Sequence, residues 1–308
     1  MSILYCCKLK KESKLRTVFI INPKSGTPKY VNRVHYMIRK YFGVNNHDIN
    51  IIKSRQPGHV KQIAERSAAE GYDMVVAVGG DGTVNETARG LINTDTALGV
   101  LPRGSGNGYA SNMGLPRRLE PALKVLREPA IRVIDVGKVN EHFFLVSCGL
   151  GWEAVIATLF EDSKIRGVLP YPYFAVTTYL QYEPQKITID SEPGNWHYSG
   201  RPMMLTVANM KEYGLGAAIA PKAVDNDGML DICLIPRKNL LDTAKYTPEF
   251  FKSRADMVPG YKRRLATEIT ITRSLPGNIH VDGTPVPAGE IIKFKILPAA
   301  LKVAVKAE

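Results

Sequence analysis

Cysteine is scarce, with four in 308 residues. Cys6 and Cys7 are adjacent, Cys148 and Cys233 lie far apart, and none shows the spacing of a zinc ligand pair. The pattern excludes a disulfide scaffold and points to a reducing, cytosolic compartment, with Cys148 and Cys233 as plain core residues. Long apolar runs are missing too: none approaches the roughly 18 residues of a membrane-crossing helix. The opening MSILYCCKLKKESKLR places its short apolar run ahead of its positive charges, the wrong order for a secretory signal. No repeat of fixed period and no low-complexity tract occurs, which excludes a solenoid. Acidic residues are the minority, 29 Asp and Glu against 41 Lys and Arg, giving a formal charge of +12. Such a surface favours anionic partners: nucleic acid, acidic lipid or phosphate. No recognised nucleic-acid motif accompanies the charge, so nucleic acid is not expected as a partner.

What is present is an ordinary globular composition, 44% hydrophobic and 23% charged, and a length that suits two domains. The first third alternates. Thr17–Pro23, Asp48–Ser54, Met74–Gly80 and Ala97–Pro102 read as strands; Val31–Phe42, His59–Gly71 and Thr83–Asn93 have helical spacing. Apolar strands alternating with helices predict a parallel sheet covered on both faces. From about Arg132 the chain turns to short strands separated by turn residues, with helical interruptions near Glu153–Tyr182 and Leu240–Lys252. This predicts a second, antiparallel β-rich domain. The expected division is 1–131 together with about 296–308 for the α/β domain and 132–295 for the β domain.

Three loops carry the chemistry, and each follows an apolar strand. Gly79-Gly80-Asp81-Gly82-Thr83 precedes a helix, so free N–H groups and a positive dipole end face a loop whose glycines admit a ligand closely. A carboxylate would repel phosphate unless it handles Mg²⁺, directly or through water, so Asp81 points to a magnesium nucleotide. Thr83 and Glu86 also fit a T-x-x-E capping box. The second loop is Gly104-Ser105-Gly106-Asn107-Gly108 behind Arg103; the third is Asn22-Pro23-Lys24-Ser25-Gly26. All three fall at carboxyl ends of parallel strands, where open α/β sheets bind ligands. None is a Walker A sequence or a complete G-x-G-x-x-G fingerprint.

GGDGTVNE, with NPKSG before it and LPRGSGNGYA after it, resembles the diacylglycerol kinase catalytic domain, a family that includes bacterial diacylglycerol kinases and sphingosine and ceramide kinases, with NAD kinases more distant. The likeness continues through IDVGKV, SCGLGWEAV, VANMKEYGLGAAIAPKAVDNDGMLDICLI and HVDGTPV, almost the whole chain. The resemblance implies an N-terminal, NAD-kinase-like parallel α/β domain and a C-terminal antiparallel β-sandwich-like domain. It implies ATP against Gly79, Gly80, Asp81, Gly82, Thr83, Val84 and Asn85, with Asn22, Ser25, Ser54, Gly104, Ser105, Gly106 and Asn107 lining the same crevice. A structural Mg²⁺ would be held by Asp227 and the carbonyls of Val224 and Met229; the same loop also reads as a tight acidic turn. The family's D-G-E motif stands here as Asp282-Gly283-Thr284. A threonine hydroxyl is no base near neutral pH, so Asp282 is expected to take the acceptor's proton, although Asp-Gly is also a hairpin signal. Glu153 stands where the family usually has Asp near the acceptor head group; the alternative is a solvated glutamate at a helix start.

The implied activity is transfer of the γ-phosphate of Mg-ATP to the hydroxyl of a lipid such as diacylglycerol or a long-chain base. The implied site of action is cytoplasmic and peripheral, at an anionic inner membrane surface, with Lys8, Lys10, Lys11, Lys14, Arg16, Lys262, Arg263 and Arg264 as candidate contacts. Tyr171–Tyr182 supplies apolar residues suited to acyl chains, or an ordinary core helix. Two alternatives stay open: a kinase for a soluble acceptor such as NAD, and a nucleotide-binding regulator without turnover. The oligomeric state is open, a homodimer included.

Overall fold

A computed structural model of the chain describes residues 15–23, 28–43, 48–104, 106–163, 170–214 and 216–307. The chain divides into two units, residues 1–134 with 299–308 and residues 135–298. It passes between them twice, within the long strands Ala130–Val139 and Ile291–Val305.

The first unit holds β1 (Arg16–Ile21), α1 (Pro28–Phe42), β2 (Asp48–Lys53), α2 (His59–Ala69), β3 (Met74–Gly79), α3 (Asp81–Arg89), β4 (Ala97–Pro102), α4 (Gly108–Asn112) and α5 (Leu119–Arg127). The strands run parallel in the order β2-β1-β3-β4. Every residue of β3 and β4 is buried, as continuous apolar runs require, whereas β2, at the edge, alternates. Phe19 and Phe42 meet edge to face at 5.0 Å in a core completed by Val34, Ile38, Leu123 and Leu126. The chain end also belongs to this unit: Val303 pairs in parallel with Leu98, and Asn93 N–H donates to the Ala300 carbonyl at 2.8 Å.

Two local readings change. Helix α3 begins at Asp81, not Thr83, with extended Gly80 as N-cap and no side-chain cap bond, so the T-x-x-E capping box does not form. The glycine pair lets the chain turn into the helix directly behind the strand, which puts Thr83 inside the helix, buried. Helix α5 was not legible because Pro121 interrupts its pattern; in the first turn a proline loses no hydrogen bond.

The second unit continues from β5 (Ala130–Val139) through β6 (His142–Phe144), β7 (Ser147–Gly151), α6 (Trp152–Asp162), α7 (Pro170–Gln181), β8 (Ile187–Glu192), β9 (Trp196–Gly200), β10 (Pro202–Ala208), β11 (Glu212–Gly214), β12 (Ala217–Ala218) and β13 (Leu230–Pro236). It ends with α8 (Leu240–Phe251), β14 (Lys262–Ala266), β15 (Glu268–Arg273), β16 (Gly277–Val281), β17 (Thr284–Ala288) and β18 (Ile291–Val305). One antiparallel sheet has the order β14-β13-β10-β7-β16-β17; in another, the start of β18 pairs with β15, then β8 and β9. Leu150, Leu205, Val207 and Ile232 of the first meet Ile189, Ile269, Ile271 and Phe294 of the second in one core. Pro285 and Pro287 lie in β17, at an edge where missing N–H donors cost nothing. Cys148 and Cys233 are buried free thiols within this unit, as expected.

Candidate active site

In the first unit the chain leaves β1 for one neighbouring position, β2, and returns to the other side for β3, so the strand order reverses between β1 and β3. Those residues expected to bind a ligand that the structure describes in this unit lie at or beside the carboxyl ends of its strands. Asn22, directly after β1, donates its N–H to the Val78 carbonyl at 3.1 Å and its Nδ2 to Thr83 Oγ1 at 3.0 Å. Ser54, directly after β2, is buried and donates its N–H to Ile21 at 3.0 Å. The loops after β3 and β4 pack backbone on backbone. A Cβ on Gly104 would lie 2.8 Å from Gly80 Cα, and one on Gly80 would lie 3.1 Å from Gly104 Cα, so neither position accepts a side chain unless the loops separate. Arg103 N–H donates to the Gly79 carbonyl at 2.7 Å, and Asn107 ties Gly104 at both its N–H and its carbonyl, each at 2.7 Å.

Asp81 sits half-buried at the first position of α3. Its Oδ1 accepts the Tyr109 N–H at 3.3 Å, and its Oδ2 faces Gly106, where a Cβ would come within 3.4 Å. The carboxylate therefore stands against the second loop, at the positive end of a helix. The N–H groups of Thr83 and Val84 are taken by the Gly80 carbonyl at 2.9 and 3.1 Å, and the Val84 side chain is core. Thr83 and Val84 are thus engaged within the helix and the core, whereas Gly82 has open space around it. Gly79 is buried, and a Cβ there would strike Thr83 Oγ1 at 2.5 Å. Asn85 is half-buried in the same helix. Arg103 is stacked over the Tyr30 ring at 4.0 Å. Burial pushes the Tyr30 hydroxyl up from its ordinary value, outweighing the downward pull of the Arg103 and Arg33 charges. Ser25 and Ser105 lie outside the described residues, as do Lys8, Lys10, Lys11 and Lys14.

In the second unit both Asp282 and Glu153 are engaged by partners from other elements. Asp282 and Gly283 both have positive φ, +48° and +82°, as a type I′ hairpin turn between β16 and β17 requires. The Asp282 carboxylate accepts three backbone N–H groups: Leu145 at 2.8 Å on Oδ2, and Val146 and Ser147 at 2.9 and 3.0 Å on Oδ1. These bonds fix the turn between β16 and β17 against residues 145–147. Thr284 is exposed.

Glu153 is buried, which removes the solvated helix-start reading. It opens α6 and accepts from Thr206 Oγ1 at 2.8 Å, from the Tyr213 hydroxyl, and from His280 Nε2 at 3.3 Å. Close approach of the Glu153 carboxyl and His280 Nε2, each 2.3 Å from a would-be Gly149 Cβ, accounts for glycine there. Burial first, and then the Glu153 charge, push the Tyr213 phenol well above its ordinary value. Cys148, pushed up by burial and then by the Glu153 and Asp282 charges, is an inert thiol. His280, Tyr213 and Thr206 escaped sequence reasoning because three separate strands bring them to Glu153; the only local sign was a histidine two places before Asp282. Beside this cluster, Ala154, Val155, Thr158, Leu159 and Asn278 line an apolar depression of about 230 Å³.

The acidic loop is shaped by Gly228 N–H donating to Asp135 Oδ2 at 2.7 Å and Met229 N–H to Asp227 Oδ1 at 3.0 Å. Asp227 is exposed, and with the carbonyls expected of Val224 and Met229 it would make an oxygen-only donor set, which suits Mg²⁺ in kind. Among the described residues no group of three or more His, Cys, Asp or Glu gathers around one point, so a cation here would rest on few carboxylates plus carbonyls and water.

A parallel α/β unit with glycine loops at its strand reversal, followed by a two-sheet antiparallel unit, is the architecture of a kinase of the diacylglycerol kinase type. A diacylglycerol kinase from Bacillus anthracis str. Sterne shares the fold with a TM-score of 0.71 at 18% identity, covering 95% of this chain and 97% of that one. A further Bacillus anthracis crystal structure reaches a TM-score of 0.77 at 20% identity, over 95% and 97%. Residues 16–139 match the diacylglycerol kinase catalytic domain, and residues 146–305 match the YegS C-terminal NAD kinase beta sandwich-like domain. The chain belongs to this YegS-type lipid kinase family. A Pseudomonas putida protein named "Probable lipid kinase YegS-like" is 28% identical over 254 residues, 80% of this chain and 81% of that protein. An Escherichia coli protein named "Probable lipid kinase YegS" is 26% identical over 297 residues, 93% and 94%.

Proposed function

We propose that the protein transfers the γ-phosphate of Mg-ATP to the hydroxyl of a membrane lipid of the diacylglycerol or long-chain-base class. The observation that carries this reading is the contact of Gly80 with Gly104 beside the Asp81 carboxylate. Two loops without side chains at their contact leave backbone N–H groups and a helix dipole to cradle phosphates. A carboxylate alongside is of use there only with a cation. Mg²⁺ would supply charge neutralisation at the phosphates. Asp81 would orient the hydrated ion, and Arg103 adds positive charge behind the loop.

The acceptor half of the reaction falls to the second unit. Glu153 and His280 would read the polar head group, an incoming hydroxyl exchanging with one of the partners that Glu153 now holds. Phosphoryl transfer passes through a loose transition state that asks more for positioning than for a strong base. The commitment of Asp282 to its turn, and the threonine at 284, are therefore compatible with turnover. The test is incubation of the purified protein with γ-labelled ATP and Mg²⁺ against diacylglycerol, sphingoid base, ceramide, NAD and total lipid extract, followed by chromatography. Label in a lipid product is expected. Label in NAD alone would make the protein a soluble-acceptor kinase, and nucleotide binding without any labelled product would make it a regulator.

A further inference from the structure

Helix α7 carries no charged residue in PYPYFAVTTYLQ, yet it faces solvent. Tyr173, Val176 and Leu180, spaced by three and four along one helical face, are 65%, 61% and 64% exposed. A helix in water ordinarily turns charged side chains outward and hides its apolar stripe. Here the stripe is outside. Its other face is held: Trp152 Nε1 donates to Thr178 Oγ1 at 2.8 Å, and Trp152 meets the buried Tyr179 edge to face.

Helix α8 repeats the anomaly. It buries none of its residues, and Leu241 is 85% exposed. Among the described residues, Tyr179 links the two helices. The Tyr179 hydroxyl donates to the Lys238 carbonyl at 2.9 Å and accepts from Thr243 Oγ1 at 2.7 Å. Leu180 follows Tyr179 directly, and Leu240 and Leu241 open the helix that Thr243 belongs to. The exposed apolar residues thus flank a common junction.

The charges around that junction select the occupant. Over residues 173–186 and 237–246 the cations are Lys186, Arg237, Lys238 and Lys245, against Glu183 and Asp242. Asp242 is engaged with Asn239 at the helix cap. Arg237 and Lys245 are exposed and have no carboxylate partner among the described residues. Of the basic residues first expected to meet a membrane, Arg263 is paired with buried Asp231.

We propose that the outer face of α7 and the head of α8 form a docking surface for an anionic phospholipid bilayer. Tyr173, Val176, Leu180, Leu240 and Leu241 enter the interface, and Arg237, Lys238 and Lys245 meet the head-group phosphates. Interfacial helices bind in this way, through buried apolar area plus attraction to anionic lipid. The surface deepens the lipid-kinase reading but does not depend on which lipid is phosphorylated.

The experiment is co-sedimentation of the full chain, without nucleotide, with phosphatidylcholine vesicles and with vesicles of phosphatidylcholine plus phosphatidylglycerol. The wild type should bind the anionic vesicles preferentially and release as salt is raised. Leu180→Ser with Leu241→Ser should lower that binding about tenfold or more. Arg237→Ser with Lys245→Ser should lower it on anionic vesicles alone. All four positions are solvent-facing, and a circular dichroism melt verifies folding. Equal binding by wild type and the leucine variant overturns the proposal. So does a change from dimer to monomer in that variant without loss of vesicle binding, which would make the face a self-association surface. A protein that binds vesicles as described but phosphorylates no lipid would leave the docking surface standing and sink the kinase reading alone.

Discussion

Asparagine at position 282 separates two roles for that carboxylate, because it keeps the shape and removes the charge. Asp282 Oδ1 can be kept as the asparagine carbonyl, still accepting from Val146 and Ser147. Oδ2 then becomes an amide nitrogen facing the Leu145 N–H, donor against donor, where the aspartate held a bond of 2.8 Å. A hydrogen bond to a charged partner contributes about 1.5–3 kcal/mol. The two remaining bonds lose their charge assistance, and the group is only half-buried, so a net cost of about 2–3 kcal/mol is expected. Asn tolerates the φ of +48° at this position; Asp282→Ala does not, and should cost about 1 kcal/mol more. The assay is urea unfolding of wild type and both variants, with turnover measured under conditions where each remains folded. A stability loss in the order Ala, Asn, wild type, with turnover largely kept by the folded Asn variant, is the expected result. An Asn variant of unchanged stability whose turnover falls about 10²–10⁴-fold would return the role of proton acceptor to Asp282 and refute the reasoning.

Asp81→Asn should lower turnover about 10²–10³-fold while the chain stays folded, since asparagine keeps the shape of the side chain and an acceptor for the Tyr109 N–H; unaltered kinetics would remove Asp81 from the site. Gly104→Ala puts a Cβ 2.8 Å from Gly80 Cα, so nucleotide affinity measured with a fluorescent ATP analogue should fall sharply, and undiminished affinity would detach the two-loop contact from nucleotide binding. Glu153→Gln should raise the KM for lipid with little effect on that for ATP; the reverse split would place Glu153 outside head-group recognition. Burial pushes the Cys233 thiol from 9.0 up to about 12 and the Tyr213 phenol well above 10.0. Both groups keep their protons longer folded than unfolded, so their contribution is full below pH 9 and declines above it, by about 1.4 kcal/mol per pH unit for each group that is titrating only in the unfolded chain. Denaturation midpoints that stay flat from pH 8 to about 10.5 would contradict this.

The sequence by itself determined the strands and the first three helices of the first unit and the place of its glycine loops, but not α4 or α5. Apolar runs such as MVVAVG are legible because both faces of a parallel strand are buried, so no alternation is needed to recognise them. Ala97–Pro102 stands as read; the glycines at 80 and 104, read as admitting a ligand, pack against each other, which the sequence did not show. Local chemistry also betrayed the Asp282-Gly283 turn. What only the tertiary structure decided is how each motif residue is buried and bonded. Val84 belongs to the core and Thr83 to a helix interior, because α3 starts two residues early. The partners of Glu153 come from β10, β11 and β16, a convergence that no spacing along the chain encodes. Asp282 likewise shows its occupation only when the turn at Leu145–Ser147 is folded against it. Periodicity reports what one element buries; it carries no record of which distant strand supplies the donor, and in the second unit the distant donors define the chemistry.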